Sequence, residues 1–262
     1  MRSRAPHRPS RDAAVEVIAR ERYDAVLFDL DGVLTDTAQI HASSWKRMFD
    51  AYLQGRARRT GEAFRPFDIA TDYRQLVDGK PRYDGVRDFL RARGIDLPEG
   101  SPQDAPGTET VCGLGNRKND LVNAAIAAGE VATFPASVAL VRRLRENGIK
   151  CAVVTSSRNL GAVLEAAGIA DLFEAAVDGN TIAALGLAGK PAPDAYLQAA
   201  KALGVAPARA VVVEDAISGV AAGANGGFGL VIGVARHGNA GELKRHGAHL
   251  VVAGLGELTD RS

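Results

Sequence analysis

The chain has 262 residues, of which 46% are hydrophobic and 24% charged, and its 32 basic and 31 acidic side chains leave a net charge of +1. This length and composition fit one large folded domain, or one domain carrying a smaller one, and they exclude a disordered or fibrous chain. A nearly neutral chain also lacks the basic surplus with which proteins neutralise nucleic acid or anionic membranes. We therefore expect neither as a partner, and expect small-molecule chemistry.

The two cysteines and the N-terminus narrow the class of protein further. Cys112 and Cys151 lie outside any metal-binding spacing, so neither a disulfide framework nor a zinc site is predicted. Residues 1–11 are rich in Arg and Pro but lack the apolar core of a secretory signal, and no apolar run is long enough to span a membrane. We expect a cytoplasmic monomer whose residues 1–22 form a disordered or weakly ordered tail.

In chain order, the first element is an apolar run at 25–28 that ends in Asp29-Leu30-Asp31-Gly32, which is typical of a buried strand followed by a turn. Strands and helices then alternate from residue 135 onward, which is typical of a parallel sheet covered by helices. The predicted strands are 150–154, 173–177, 210–213, 230–234 and 249–252, and the predicted helices between them are 135–146, 160–167 and 194–203.

The interval 37–133 interrupts this alternation and is predicted to be an inserted cap, with the core formed by 23–36 and 134–262. Helices are expected around 41–53 and 116–129, separated by a Pro/Gly-rich region at 81–115 whose part 94–115 forms an added loop. Gly113-Leu114-Gly115 is interpreted as part of that loop, because a dinucleotide fingerprint needs a preceding strand, and Gly223 to Gly229 as a turn. Parallel sheets bind ligands at the carboxyl ends of their strands, so an insert leaving the first strand would lie over the site as a lid.

Polar side chains follow several of the predicted strands. Asp29 and Asp31 come after the first strand, where one carboxylate can attack a substrate while the other transfers a proton. Taken alone, such a pair is more commonly a turn or helix cap. Here Thr155 ends the second strand, Lys190 precedes a helix, and the pair Glu214-Asp215 ends a later strand. We expect all of these groups at the same edge of the sheet.

This ordered set of motifs resembles the haloacid dehalogenase-like (HAD) superfamily of phosphotransferases over residues 25–234. The resemblance implies a doubly wound parallel α/β core with an inserted helical cap. It also implies that Asp29 is a nucleophile that forms an aspartyl phosphate and that Asp31 is the general acid and base. Thr155 and Lys190 would then bind the transferring phosphoryl group, and Mg²⁺ would be held by Asp29, the backbone carbonyl of Asp31, and Asp215 with Glu214 nearby.

Three further segments are similar to the β-phosphoglucomutase branch of that superfamily: 31–45, 117–120 and 156–159. This resemblance implies that Thr37 belongs to a hinge and that His41 positions Asp31. The remaining substrate-binding residues that it implies are Trp45, Arg82, Lys118, Ser156, Ser157, Arg158 and Asn159, of which Arg158 and Asn159 would approach a distal phosphate. Each also has a plainer interpretation: His41 and Lys118 as solvated helix residues, Trp45 as core packing, Arg82 as a turn residue.

Asp31 argues against dehalogenase activity, because a departing halide needs no acid whereas a sugar alkoxide does. The predicted function is a Mg²⁺-dependent phosphomutase that interconverts β-D-glucose 1-phosphate and glucose 6-phosphate. The alternatives are a sugar-phosphate phosphatase or phosphonate-cleaving hydrolase of the same superfamily, and a catalytically silent binding protein on the same scaffold.

Overall fold

The structure, a computed structural model, describes residues 17–236 and 238–258. Within these ranges six parallel strands form one sheet in the order β3-β2-β1-β4-β5-β6. This confirms the predicted doubly wound α/β core. The strands are β1 (Ala25–Asp29), β2 (Lys150–Val154), β3 (Ala175–Val177), β4 (Ala210–Glu214), β5 (Leu230–Val234) and β6 (Leu250–Val252).

The sheet is buried on both faces, which explains why its strands read as continuous apolar runs. Alternate residues of β1 point to opposite sides: Val26 and Phe28 enter one hydrophobic cluster, and Ala25 and Leu27 enter the other. Helices cover both faces of the sheet. They are α4 (Pro135–Glu146), α5 (Leu160–Ala167), α6 (Gly179–Ala184), α7 (Asp194–Leu203), α8 (Ile217–Asn225) and α9 (Ala240–Arg245).

The segment between β1 and α4 forms a helical cap with a hydrophobic cluster of its own. This cluster is built around Trp45, Phe49, Phe67 and Phe89, whose rings pack with centroids 3.9 to 5.3 Å apart. The cap helices are α1 (Ala38–Thr60), α2 (Arg82–Ala92) and α3 (Val111–Ala127), and a π-helical segment spans Ile69–Val77. No helix of the described ranges has both the length and the apolar character needed to cross a bilayer.

The cap leaves and rejoins the core through two adjacent backbone segments. Thr35 and Thr133 form an antiparallel bridge, the Asp36 amide donates to the Ala132 carbonyl, and the Phe134 amide donates to the Leu34 carbonyl. Arg236 supports this junction from the core, because its guanidinium lies 3.4 Å from the Phe134 ring centroid and donates to the Gly32 carbonyl.

The middle of the cap is more helical than its composition predicts. The Pro/Gly-rich region 81–115 contains α2, in which Val86, Phe89 and Leu90 are buried on one face. Pro81 stands just before this helix, where its missing amide hydrogen costs no hydrogen bond. Arg82 therefore begins a helix, and the plainer interpretation of Arg82 as a turn residue does not hold.

Helix α3 likewise begins earlier than predicted and includes Gly113 and Gly115. The Thr110 hydroxyl accepts from the Gly113 amide and caps the helix. The absence of a side chain at the two glycines admits close neighbours: a Cβ at Gly113 would overlap the Thr108 backbone, and one at Gly115 would lie 2.7 Å from the Tyr83 ring. The interpretation of Gly113 to Gly115 as loop is therefore wrong.

Other boundaries differ in smaller ways. Helix α1 continues to Thr60, beyond the predicted end at residue 53, because a polar face with little burial extends the helix until Gly61 ends it in a left-handed conformation. Strand β3 starts at Ala175 instead of 173, and Gly223 lies inside α8 instead of in a turn. Of the expected tail, residues 1–16 lie outside the described residues, whereas Ile18 is buried in the core, so the ordered chain begins before residue 23.

Candidate active site

Neighbouring strands bring the predicted polar residues to one edge of the sheet. Asp29 ends β1, Thr155 directly follows β2, and Glu214 ends β4. Since β1 lies between β2 and β4, the three side chains meet above the centre of the sheet. All three residues are buried.

Lys190 neutralises part of this acidic edge. Its Nζ donates to Asp29 Oδ1 at 2.5 Å and also to Glu214 Oε1. Burial acts to lower the pKa of Lys190, but the charges of Asp29 and Glu214 raise it well above its usual range. The lysine is therefore a permanent cation beside the carboxylate that would attack phosphorus.

Glu214 orients Lys190 and is itself held by neighbours. The Tyr196 hydroxyl donates to Glu214 Oε1 at 3.0 Å, and the Ala216 amide donates to Oε2 at 2.9 Å. With both oxygens hydrogen-bonded, the carboxylate is fixed between β4 and the start of α8.

Asp31 is bound by residues at the start of the cap. The hydroxyl of Thr37 donates to Asp31 Oδ1, and His41 Nε2 lies 3.3 Å from the same oxygen. On the other oxygen, Thr155 donates to Oδ2 at 3.3 Å. Burial acts to raise the pKa of Asp31, but His41 and Thr37 hold it well below its usual range. The carboxylate is thus ionised and directed by hydrogen bonds.

His41 links Asp31 to the far side of the cap. The Lys118 amine of α3 lies 2.7 Å from His41 Nδ1, and because an ammonium only donates, Nδ1 accepts and Nε2 carries the hydrogen directed at Asp31. Lys118 Nζ also lies 5.1 Å from the Trp45 ring centroid. Burial lowers the pKa of Lys118 to about 7, although the charge of Asp31 opposes this.

The loop between the π-helical segment and α2 touches the core, so the structure shows the cap closed over the sheet. The Ser156 hydroxyl donates to the Gly79 carbonyl and the Ser218 hydroxyl to the Asp78 carbonyl, both at 2.8 Å. A Cβ at Gly79, whose φ is +69°, would lie 2.5 Å from Ser218 Oγ. The loop therefore reaches the core only because residue 79 has no side chain.

Two arginines also line the site. Arg82 begins α2 in the cap, and Arg158 follows β2 in the core. Both lie over the Tyr83 ring, at 4.8 and 5.8 Å from its centroid. In the part of the chain that the structure describes, neither forms an ion pair with a carboxylate, and Arg82 Nε is buried without a hydrogen-bond partner. Uncompensated guanidinium groups at a cavity wall suit an anionic ligand.

A cavity of about 260 Å³ lies between the cap and the core and is lined by residues of both. Asp29, Asp31, Thr155 and Asp215 line its core side. From the cap and the flanking loops come His41, Trp45, Tyr73, Asp78, Arg82, Tyr83, Lys118, Asn119, Ser156, Ser157 and Arg158.

The acidic donors suit a hard divalent cation. Asp29, Glu214 and Asp215 each offer an oxygen, and these oxygens lie within 4.8 Å of one another. Burial raises the pKa of Asp215 well above its usual range, and nearby Asp78, Glu214 and Asp29 raise it further. Gly32 faces this group at φ +82°, where a Cβ would overlap the Asp215 carboxylate. Clustered carboxylate oxygens are the ligands that a hard cation such as Mg²⁺ prefers.

Comparison with known proteins agrees with this geometry. The sequence profile of the haloacid dehalogenase-like hydrolases matches residues 23–227. The chain belongs to the HAD-like superfamily. Two mycobacterial proteins named β-phosphoglucomutase, from Mycobacterium bovis and Mycobacterium tuberculosis, are each 51% identical to it over 241 residues, which cover 91% of this chain and 92% of theirs. This HAD-like chain is therefore an enzyme of the β-phosphoglucomutase branch.

Solved structures of HAD-like proteins share the fold. A β-phosphoglucomutase from Clostridium difficile superposes with a TM-score of 0.70 at 26% identity, covering 90% of this chain and 93% of that one. A CbbY variant from Rhodobacter sphaeroides in complex with xylulose-(1,5)bisphosphate superposes with a TM-score of 0.65 at 26% identity, covering 90% of this chain and 96% of that one.

Of the remaining predicted residues, Trp45 and Ser157 line the HAD-like cavity, whereas Asn159 is not among its lining residues. Ser157 and Asn159 form the loop after β2, where the Ser157 Oγ accepts from the Asn159 amide at 3.2 Å, and Asn159 also donates to Asn119 of α3 at 3.3 Å. Trp45 is buried and stacks on Phe49, so it packs in the cap core while one side of it borders the cavity.

Sequence reasoning missed several groups of the HAD-like site. Tyr196 belongs to no motif. It lies on α7, whose sequence has the pattern of an ordinary core-packing helix, and from there its hydroxyl binds Glu214. Tyr73 reaches the cavity from the π-helical segment and Asp78 from the residue that follows it, and no motif marks either residue. Burial raises the pKa of Asp78 to about 7, and its hydrogen bond from Tyr73 opposes this. A search for polar residues in the loop before Arg82 would have found Asp78.

Proposed function

We propose that this enzyme is a Mg²⁺-dependent phosphomutase that interconverts β-D-glucose 1-phosphate and glucose 6-phosphate through an aspartyl phosphate and glucose 1,6-bisphosphate. The observation that carries the proposal is the set of partners of Asp31. Its Oδ1 is bound by Thr37 and His41, and Lys118 contacts His41. Because cap side chains orient this acid and base, a substrate that closes the cap is favoured as the phosphoryl acceptor. Water cannot close the cap and is therefore disfavoured.

The chemistry that we propose begins with attack of an Asp29 oxygen on one phosphorus of glucose 1,6-bisphosphate, which leaves a glucose monophosphate. The bond between phosphorus and the sugar oxygen breaks, and that oxygen takes the proton that Asp31, ionised in the substrate-free site, receives from the attacking hydroxyl in the other half of the cycle. Lys190 offsets the repulsion between the attacking carboxylate and the phosphate oxygens. In the second half, the free hydroxyl of a glucose monophosphate attacks the aspartyl phosphate, gives its proton to Asp31 and forms the bisphosphate again, and the Asp29 carboxylate is released.

The residues proposed to hold Mg²⁺ are Asp29, Asp215 and the backbone carbonyl of Asp31, with Glu214 beside them. The bound ion would supply charge neutralisation to the transferring phosphoryl group. The cluster of carboxylate oxygens within 4.8 Å supports this assignment.

Cationic groups at two places in the site support a substrate with two anionic groups. Lys190 contacts Asp29, and Arg82 and Arg158 line the cavity. A sugar bisphosphate carries charge at both ends and matches this arrangement. The names of the mycobacterial relatives support glucose phosphates as the particular substrates.

Product analysis tests the proposal. The purified protein is given β-glucose 1-phosphate, Mg²⁺ and a trace of glucose 1,6-bisphosphate, and the products are followed by phosphorus NMR. We expect glucose 6-phosphate in excess of free phosphate, and neither product from Asp29→Asn, which keeps the side-chain shape but removes the nucleophile. Turnover by Asp29→Asn would contradict the covalent mechanism.

A sugar-phosphate phosphatase is the second candidate, because the matching family is described as hydrolases and water can resolve the same aspartyl phosphate. Release of free phosphate without glucose 6-phosphate would establish it in place of the mutase. The absence of both products from a folded wild-type protein would favour a binding role.

A further inference from the structure

We propose that Tyr83 is a positioning residue that holds Arg82 of the cap and Arg158 of the core together as one site for the second anionic group of the substrate. The proposal rests on the proposed function for the identity of that substrate. The observation behind it is that a single ring contacts both guanidinium groups, at 4.8 and 5.8 Å from its centroid. The two arginines belong to different parts of the fold.

The Tyr83 ring stabilises two neighbouring positive charges, those of Arg82 and Arg158. Two guanidinium groups without carboxylate partners repel each other, and each would otherwise turn toward solvent. The face of an aromatic ring attracts a cation without neutralising it. Tyr83 therefore holds both positive charges at the cavity and leaves them available to an anion, whereas a carboxylate at this position would bind them and compete with the ligand.

The Tyr83 hydroxyl extends this support into the cap. Arg82 donates to the hydroxyl at 3.0 Å, and the hydroxyl donates to Asn116 Oδ1 at 2.8 Å. Asn116 in turn donates through Nδ2 to the carbonyls of Pro102 and Asp104. The loop before α3 thus fixes Asn116, Asn116 fixes the hydroxyl, and the hydroxyl orients Arg82.

The absence of a side chain at Gly115 leaves room for the Tyr83 ring. Tyr83 lies against α3 where a Cβ on residue 115 would come within 2.7 Å of its Cδ1 and 2.9 Å of its Cε1. Glycine is a poor residue for the interior of a helix, so its position here has a packing reason. Gly115 and Tyr83 form a matched pair, which provides a second way to displace the ring.

The test uses acetyl phosphate as the phosphoryl donor, because it reaches Asp29 with a single phosphate and needs no second anion site. Glucose 1,6-bisphosphate competes with acetyl phosphate for the unphosphorylated enzyme, so it lowers the initial rate of acetate release, and the inhibition constant of this effect reports on both anion sites together. We expect Tyr83→Ala to raise that constant about tenfold and Tyr83→Phe about threefold. Turnover of acetyl phosphate itself should stay within about twofold, as for loss of a remote contact.

Gly115→Ala provides the second arm. It should raise the inhibition constant in the wild-type background and have little further effect in the Tyr83→Ala background, since neighbours that act through one contact are not additive. Tyr52→Phe and Gly55→Ala are the matched controls. Both change the cap helix α1 away from the cavity, and at Gly55 a Cβ would approach only the flexible end of Arg59.

The positioning role is overturned if Tyr83→Ala leaves the inhibition constant unchanged, or if it lowers acetyl phosphate turnover by the same factor. It is also overturned if Gly115→Ala acts equally in both backgrounds. Failure of the mutase proposal would be seen separately, as wild-type protein that binds the bisphosphate but forms no glucose 6-phosphate.

Discussion

Lys118 is an amine buried between an imidazole and an indole. Its contacts are His41 Nδ1 and the Trp45 ring, and neither neutralises its charge. Burial lowers its pKa from the ordinary 10.5 to about 7. Its charged form therefore destabilises the folded protein, and this destabilisation is present in full below pH 7 and is lost as the pH rises toward the pKa of a free lysine.

We expect Lys118→Met, which keeps the length of the side chain, to raise the melting temperature relative to wild type. The gain should be largest at about pH 6 and smaller at about pH 9, because the wild-type folded state sheds the lysine proton above its lowered pKa while the unfolded chain keeps it. Calorimetry over this range measures the difference, with Lys201→Met on the exposed side of α7 as control. A constant gain at every pH would show that the amine keeps its charge in the folded protein.

At the scale of single residues, motif spacing predicted the core of the site well. Asp29, Thr155, Lys190 and Glu214 converge because strand ends of a parallel sheet share one edge, a rule that needs no coordinates. Tyr83 and Tyr196 were not predicted in their roles, because each acts through a contact between distant elements. Nothing in the local sequence records such a contact.

Among the elements, the loop that joins the π-helical segment to α2 decides whether cap and core can meet. Gly79 has a φ of +69° and lies under Ser218. We expect Gly79→Ala to lower kcat/KM for the sugar phosphate by about tenfold or more, because a side chain there adds both backbone strain and a clash that opens the cap. Steady-state kinetics with β-glucose 1-phosphate measures this change.

Gly61→Ala is the matched control for that variant. Gly61 ends α1 with a φ of +74°, but a Cβ there would meet no atom within 4 Å. The substitution should reduce stability by about 1 kcal/mol through the same backbone strain and leave kcat/KM unchanged. Equal kinetic losses in the two variants would mean that strain alone, and not contact with the core, explains the effect at Gly79.

Elements of the core were predicted more closely than those of the cap. Strands β1, β2 and β5 are continuous apolar runs between turn signals, and buried parallel strands leave little choice of position. The cap helices have one buried face and long polar stretches, so α1 extends past its last buried residue. Pro81 stands at the start of α2, and the glycines of α3 allow close packing of neighbouring residues. Composition alone predicts a loop at these positions.

At the scale of the whole molecule, carboxyl groups outnumber the buried lysine beside them at the carboxyl edge of the sheet. Burial and the nearby charge of Glu214 raise the pKa values of Asp29, Asp78 and Asp215, and the charge of Lys190 opposes this. A ligand that binds only the folded state stabilises it by an amount that grows with the logarithm of its concentration over its dissociation constant. Mg²⁺ should therefore stabilise the entire core.

We expect the melting temperature of the wild-type protein to rise by several degrees as MgCl₂ is increased, and that of Asp215→Asn to rise much less. Without Mg²⁺, Asp215→Asn should melt higher than wild type, because it removes one of the repelling carboxylates. Differential scanning fluorimetry measures both effects, and Asp120→Asn, an exposed acid on α3, controls for the loss of a charge. Equal responses in all three proteins would exclude Asp215 from the metal site.

The junction between cap and core has a consequence for how such molecules are built. The outgoing and returning segments run side by side, joined by the bridge of Thr35 with Thr133 and by the hydrogen bond from Asp36 to Ala132. Arg236 holds the core side of this junction against Phe134. An insert of any size whose two ends meet at this spacing can occupy the same pair of attachment points without disturbing the sheet. The catalytic edge can thus be kept while the lid above it is exchanged as a module.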